Sequence, residues 1–379
     1  MEQLSAIAKE RCLETDCSPN TITFNSVLNA LSKSRKEGSA TRAEQILRHM
    51  QDLHTSGDVN VQPDAFSFSS VLNAHANSNE RGAGEKAERI LKFMFEISEG
   101  KNDRTTNVKP NTVCFSTVIK AYSKSRGDPA SAQKAEDILK WMLDVCSKGD
   151  KNVEPNTISF TSVADAWAKS GDRNAVQKIN NLILWMNELH ESGYKDILPN
   201  TFTYNCLINA IARSKDRDKP RKALAVLRNM QKKGESQNDN VATQPNLFTY
   251  NSALLACAFA KGSKRERFDF MKIAIEVFEE ALQPPNNENG PLNVTYGSFF
   301  QALGNLNKTE IEKKRIEAIV EKTFKKCCLD GQVDNQLLRQ IQFAASSSLY
   351  LRLLPEENFS SSHKLSIRDL PKSWSRNVR

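Results

Sequence analysis

Few of the side chains that most often carry out reactions stand in working arrangements in this sequence. The five histidines, His49, His54, His75, His190 and His363, are dispersed. There is no G-x-x-x-x-G-K-[ST] phosphate loop, no H-E-x-x-H and no G-x-S-x-G, so phosphoryl transfer, zinc-assisted hydrolysis and serine-type acyl transfer have no visible machinery. The eight cysteines (Cys12, Cys17, Cys114, Cys146, Cys206, Cys257, Cys327, Cys328) form no C-x-x-C pair. They read as reduced packing residues rather than a disulfide or zinc framework. Acidic residues such as Glu88 and Glu136 are placed on exposed helix faces. No catalytic residue, metal or cofactor is therefore expected. What recurs instead is a set of short polar side chains. Asn25, Ser69, Ser116, Thr161, Asn205 and Asn251 each close a five-residue phrase, and Asp64, Asn111, Asn156, Asn200 and Asn246 each follow a proline. Amides, hydroxyls and carboxylates of this size offer hydrogen-bond donors and acceptors, which suits recognition better than covalent chemistry.

The elements that must position these residues are set by a long period. Pro19, Pro63, Pro110, Pro155, Pro199, Pro245 and Pro291 stand 44 to 47 residues apart, far more regularly than 13 scattered prolines would. Each is followed by a phrase such as Thr21-Ile-Thr-Phe-Asn25 and then by apolar residues at three- and four-residue spacing, as in Phe24, Val27, Leu28 and Leu31. That spacing is one stripe of a helix. After a polar stretch (34–39 in the first unit) a second pattern follows over 43–50, returning at 87–94, 135–142 and 223–230 and more loosely at 179–186. Each unit is thus helix, turn, helix. Proline restricts the residue before it to extended backbone and the Asn or Asp after it can cap the next helix, so each Pro-Asn step ends one hairpin and starts another. Polar loops over 99–107 and 235–243 precede two of the prolines.

One hairpin cannot bury its apolar stripe alone, whereas stacked neighbours can. The expected fold is all-α, a right-handed superhelical α-solenoid of stacked helical hairpins without a sheet. Seven repeats are expected over 21–64, 65–111, 112–156, 157–200, 201–246, 247–292 and 293–331. A remnant of a preceding repeat occupies 1–20, one capping helix 332–352 and a disordered tail 353–379. Met1-Glu-Gln-Leu4 matches Met50-Gln-Asp-Leu53, so the chain is expected to begin inside a hairpin, as a shortened cap or, the favoured reading, as a fragment.

Lysine plus arginine number 53 against 45 aspartate plus glutamate, a net charge of +8 that suits a polyanionic partner. Hydrophobic residues make up 39% and the mean hydropathy is −0.54. No apolar run approaches the roughly 18 residues of a membrane span, so no membrane partner is expected.

The phrases Pro199-Asn-Thr-Phe-Thr-Tyr-Asn205 and Pro245-Asn-Leu-Phe-Thr-Tyr-Asn251, with the Ala-x-x-[Ile/Val]-Leu-x-x-Met second helix, resemble the pentatricopeptide repeat family, P-type, over roughly 21–331. The chain departs from the family in its elongated repeats of 44 to 47 residues. The resemblance implies binding of single-stranded RNA, one base per repeat in a parallel sense. It assigns the base edge to the fifth residue of a repeat and to its last, giving Asn25 with Asp64, Ser69 with Asn111, Ser116 with Asn156, Thr161 with Asn200 and Asn205 with Asn246. By the family's pairing rules these read U, A, A, A and a pyrimidine; a sixth pair, Asn251 with Leu292, is expected to read poorly. Short polar groups do suit Watson-Crick edges, although the same types are preferred helix caps.

The resemblance also assigns stacking against base faces to the second residue of each unit, Ile22, Phe66, Val113, Ile158, Phe202, Phe248 and Val294, for which contact between adjacent hairpins is the plainer reading. Eight residues after the fifth position come Lys33, Lys124, Lys169 and Arg213, with Asn77 interrupting, a ladder suited to phosphates. An ordinary solvated face is the alternative. The function expected is a sequence-selective single-stranded RNA-binding protein in organellar RNA processing, stability or translation, not an enzyme, monomeric, and working with separate processing enzymes. Residence in a mitochondrion or plastid follows from the resemblance alone, since residues 1–20 show no targeting peptide. The competing function is a tetratricopeptide-like scaffold for protein partners, against which stands a poor match to W-x-x-L-G-x-x-Y.

Overall fold

The structure is a computed structural model that describes residues 18–78, 80–99, 108–235, 243–283, 292–306, 310–354 and 367–378. Among these, every regular element is helical. The chain divides into two compact units, residues 1–198 and 199–379. Most of the first-repeat remnant (1–17), Pro291 and the loop segments 100–107 and 236–242 lie outside the described residues.

In the first unit the hairpins are α1 (Thr21–Ser34) with α2 (Ser39–Thr55), α3 (Ala65–Asn77) with α4 (Ala83–Glu99), α5 (Thr112–Ser123) with α6 (Pro129–Ser147), and α7 (Thr157–Ser170) with α8 (Ala175–Glu191). Successive first helices pack side by side, and each second helix lies against the first helix of the next hairpin. The second unit repeats this with α9 (Thr201–Arg213) and α10 (Lys219–Glu235), α11 (Leu247–Ala258) and α12 (Lys264–Ala281), and α13 (Asn293–Leu306) and α14 (Glu310–Leu329). It closes with α15 (Asn335–Ala344) and α16 (Ser347–Leu353).

The first helices start where the cap chemistry dictates. Asn20, Asp64, Asn111, Asn156, Asn200, Asn246 and Asp334 hold extended backbone, φ between −116° and −137°. Each side chain accepts from the N–H three residues on, at 2.6–3.1 Å. Those N–H groups have no partner inside the helix, so each cap removes an orphan donor. A threonine at the first helical position adds a clasp: the Thr21 hydroxyl donates to the Gln62 carbonyl at 3.1 Å, Thr112 to Glu154 at 2.7 Å, Thr157 to Leu198 at 3.0 Å and Thr201 to Gln244 at 2.9 Å. These bonds fasten the start of four of the hairpins to the stretch that leads into the next. Second helices stop at a recurring left-handed glycine, Gly57, Gly149, Gly193 and Gly331, with φ between 67° and 113°, a conformation that side chains with a Cβ adopt only at a cost.

The core follows the helical period. Fourth residues Phe68, Phe115, Phe160, Tyr250 and Tyr296 are fully buried. Phe115 meets Phe95 and Trp141 edge-on at 5.7 and 5.0 Å, and Phe160 meets Trp185 at 5.3 Å. The second helices contribute Ala87, Leu91 and Met94 in one hairpin and Ala135, Leu139 and Met142 in the next, all without exposed surface.

Three expectations need correction. Glu88 and Glu136 are not on exposed faces. Glu136 is buried, and the Glu88 side chain keeps 12% of its surface. Each accepts from a ring of the following first helix: Tyr122 donates its hydroxyl to Glu88 at 2.5 Å and Trp167 its indole N–H to Glu136 at 3.0 Å. The glutamates are one residue beyond inward alanines, on the side that the next hairpin covers, and a single helix's own pattern cannot reveal that cover. Burial opposes ionisation of both carboxylates, but hydrogen bonds from Lys92 and Tyr122 to Glu88, and from Lys140 and Lys178 to Glu136, hold both below the usual range.

The capping region is two helices rather than one. The chain breaks at Ala345, and Ser346 caps α16 by accepting from the Leu349 N–H at 3.3 Å. The tail is not disordered over 367–378. Trp374 packs edge-on against Phe324 of α14 at 5.6 Å, and its carbonyl accepts from the Val333 N–H at 2.8 Å. Arg376 donates to the Leu329 carbonyl and Asn377 to those of Gly331 and Asp330, all at 2.9 Å. The tail thereby covers the Leu329 carbonyl at the end of α14 and the carbonyls of the two residues that follow it.

His75, at the ring position of α3, is wholly buried, with Nε2 3.5 Å from Glu44 Oε2. Burial pushes its pKa below 6.5; Glu44 and Glu80 pull it up and Lys86 pushes it further down. The unfolded chain therefore binds the proton more readily, and stability is lost as pH falls below about 6.5 towards the depressed folded value. In denaturant titrations between about pH 7.5 and 5, the chain is expected to lose stability on acidification and His75→Gln to lose less. Parallel pH profiles would remove His75 from the account.

Candidate nucleic-acid interface

At 100° per residue, the second and fourth positions of a first helix point about 200° apart, so once the fourth residue is in the core the second must face out. It does so although it is apolar. Ile22 is 73% exposed, Phe66 52%, Val113 56%, Ile158 64%, Phe202 55%, Phe248 57% and Val294 55%. Contact between adjacent hairpins, the plainer reading of these positions, does not cover them. The fifth residue lies three positions on, on the same face, and the position that carries Lys33 lies eleven residues on, three turns and about 16 Å along the same helix face.

In the first unit Asn25, Ser69 and Ser116 lie against the cap turn of the next first helix. Asn25 donates its amide to both Asp64 oxygens, at 3.2 and 3.3 Å, and its Oδ1 accepts from the Ser67 hydroxyl at 2.7 Å. Ser116 Oγ is 3.0 Å from Ser159 Oγ, which in turn donates to Asn156 Oδ1 at 3.2 Å. Ser69 donates to the Ala65 carbonyl at 2.7 Å and lies 3.5 Å from Cys114 Sγ, in the turn capped by Asn111. Thr161 is buried and donates to the Thr157 carbonyl at 2.8 Å. Asn200, its assigned partner, belongs to the second unit, where it caps α9.

In the second unit Asn205 is buried, and its amide donates to Asn246 Oδ1 at 3.5 Å. The buried Oδ1 atoms of Asn205 and Asn251 have no hydrogen-bond partner, an arrangement that costs free energy until a donor arrives. At the sixth pair Leu292 offers only its carbonyl, which accepts from Thr295 N at 2.8 Å. The structure thus joins Asn25 to Asp64 and Asn205 to Asn246 directly, and links the two serine pairs through the third residue of the next helix. That third residue, Ser67, Ser159, Thr203 or Thr249, was not singled out from sequence. Its hydroxyl bonds the cap in each case, and its recurrence directly after the second-position residue was the available signal.

Of the cationic ladder, Lys33, Lys124 and Arg213 are exposed at the far ends of their first helices. Partial burial and the nearby charges of Lys120, Arg35 and Lys169 hold the Lys124 ammonium below its usual range, a sign that positive charge is crowded there. Lys169 is already ion-paired with Asp165, so it is a weaker rung. Arg213 donates to Asn209 Oδ1 at 3.0 Å. Asn77, the gap in the ladder, donates instead to the Ser32 carbonyl of α1 at 3.0 Å.

The cysteines Cys114, Cys206, Cys257 and Cys327 are buried, and none of the described six is in a disulfide. Burial pushes the Cys257 and Cys328 thiols up to about 12, so they are packing groups rather than nucleophiles. No described helix is long and apolar enough to cross a membrane.

Stacked hairpins with one repeated, outward-facing set of apolar residues define a helical-repeat protein. Residues 189–258, from the end of α8 to the end of α11, match the family model of the pentatricopeptide repeat domain. That match supports a repeat protein of the pentatricopeptide type. No curated protein matches the chain.

Proposed function

We propose that the chain binds single-stranded RNA sequence-selectively along these faces, one base per repeat, and acts on an organellar transcript by occluding it. The observation that carries this reading is the exposure of seven apolar second residues at one helical position. An apolar side chain held in water at every repeat is unfavourable by itself, and a flat, sequence-tolerant partner such as a nucleobase makes use of it. The neighbouring fifth and cap residues supply edge contacts, and the cations three turns on supply phosphate contacts. Bases held in this way can neither pair nor enter a nuclease. Separate processing enzymes would act on the RNA so presented.

The test is a titration of the chain against a short RNA containing UAAAY and a scrambled control at two salt concentrations. The UAAAY strand is expected to bind at least about tenfold more tightly, with log K falling against log salt by roughly 0.7 per phosphate neutralised. Equal and negligible binding of both strands would refute RNA recognition and favour a scaffold for protein partners.

A further inference from the structure

We propose that a pocket in the second unit, between the α9–α10 turn and the α11–α12 turn, binds a nucleoside phosphate, with the base stacked on Phe259 and the phosphate held by Lys215, Arg217 and Lys261. Phe259 lies eight residues after Asn251, the register at which other repeats carry Lys33, Lys124, Lys169 and Arg213. The ring replaces a cation there and remains 55% exposed. It follows Phe248 by eleven residues and caps the C-terminal end of α11, which places the two exposed rings on one side of that helix about 16 Å apart.

The pocket has a volume of about 760 Å³, well within the range of small-ligand sites. Its cations come from both turns, and Lys215, Arg217 and Lys261 form no ion pair among the described residues. Lys219, which also lines it, is fixed: the buried ammonium donates to the Ala212 and Ser214 carbonyls at 3.0 and 3.2 Å and sits 6.0 Å from the centre of the Phe259 ring. Burial and the charge of Lys261 lower its pKa while Asp216 raises it, as expected where positive charge is concentrated. The two acidic residues in the lining are occupied. Asp216 is paired with Lys222 and accepts from the Asp218 N–H at 2.9 Å. Glu266 accepts from the Ser263 N–H and hydroxyl, each at 2.7 Å. Four cations line the pocket against two carboxylates, Asp216 and Glu266, the second of which also feels the charge of Arg217, so an anion entering it meets an excess of positive charge beside an exposed aromatic ring, the pairing that nucleotide recognition uses.

The fold alone does not create such a site. The equivalent pocket in the first unit, between the α3–α4 and α5–α6 turns, has a similar volume of about 780 Å³. There Arg81, Lys124 and Arg126 are balanced by Glu80, Glu85 and Asp128, and its one ring, Tyr122, is buried.

The proposal does not depend on the groove reading, and the full-length chain tests it with two probes, ATP and the UAAAY RNA. Phe259→Ala is expected to weaken at least one of them by roughly tenfold, since stacking is worth about 1–3 kcal/mol per base. Lys215→Ala with Lys261→Ala should weaken the same probe and reduce its salt dependence. Phe248→Ala, on the groove, should leave ATP binding unchanged. A loss with ATP identifies a free nucleotide as the ligand, and a loss with RNA alone identifies a nucleotide of the bound strand. The proposal is overturned if neither probe binds the unaltered chain, or if both bind the Phe259 and lysine variants as tightly as the unaltered chain. RNA binding weakened by Phe248→Ala, with binding of both ATP and RNA untouched by Phe259→Ala, would refute the pocket and leave the groove standing.

Discussion

Changing Phe66, Phe202 and Phe248 together to alanine is expected to weaken binding of the UAAAY RNA at least about a hundredfold while barely moving the unfolding midpoint. Each ring offers a base roughly 1–3 kcal/mol of stacking, and three such losses, even if partly redundant, exceed the roughly 2.7 kcal/mol that a hundredfold represents. Each ring is more than half exposed, so truncation removes little buried surface, and substitutions of that kind usually alter stability by no more than about 0.5 kcal/mol. A variant with unchanged RNA affinity would show that the exposed rings do not stack. A variant that unfolds would show that they serve packing after all. Filter binding together with a denaturant titration separates these outcomes.

The second large effect concerns neighbours only two residues apart. Phe115→Ala is expected to cost about 3–5 kcal/mol, the usual consequence of emptying an aromatic site in a close-packed core. Phe115 has no exposed surface and is wedged against Phe95 and Trp141. Val113→Ala, on the opposite side of the same turn and 56% exposed, should cost no more than about 0.5 kcal/mol. In a stacked array each hairpin is stabilised through its immediate neighbours, so the damage at Phe115 should reach α3 and α7. Hydrogen exchange is the measurement that shows this. Comparable losses for the two variants would contradict the division of this helix into a core side and a recognition side.

The hairpins themselves were legible because a period of 44 to 47 residues, marked by proline and a capping side chain, cannot arise from local composition. The division between second and fourth residues was less so. Ile22 and Phe24 are both apolar, and only the packing of the fourth residue into the core decides which one faces water. The Asn or Asp after a proline was open to two readings, and the structure shows each of these side chains capping a helix. At Asp64 and Asn246 the same side chain also meets the fifth residue of the repeat before it.

What escaped the sequence are contacts between hairpins. The bonds from Tyr122 to Glu88 and from Trp167 to Glu136 join residues more than thirty positions apart, and no periodicity within one helix announces them. Burial of Thr161 and Asn205 likewise depends on neighbouring helices rather than on residue type. The docked tail was missed because Leu370-Pro-Lys-Ser-Trp374 has no apolar period; its hold is a single ring against Phe324 and a few bonds to the end of α14.

The most direct test of base reading by paired residues is a specificity change at the first pair. The unaltered chain is expected to prefer UAAAY to AAAAY, and Asn25→Thr combined with Asp64→Asn is expected to reverse that preference. Asparagine at 64 keeps the carbonyl oxygen that caps α3, so the helix start should survive. A good base-edge pair is worth about 1–3 kcal/mol of discrimination, which makes a reversal of roughly tenfold or more readable in competition binding. An unaltered chain that does not distinguish the two strands, or a double variant that keeps the original preference, would contradict the account.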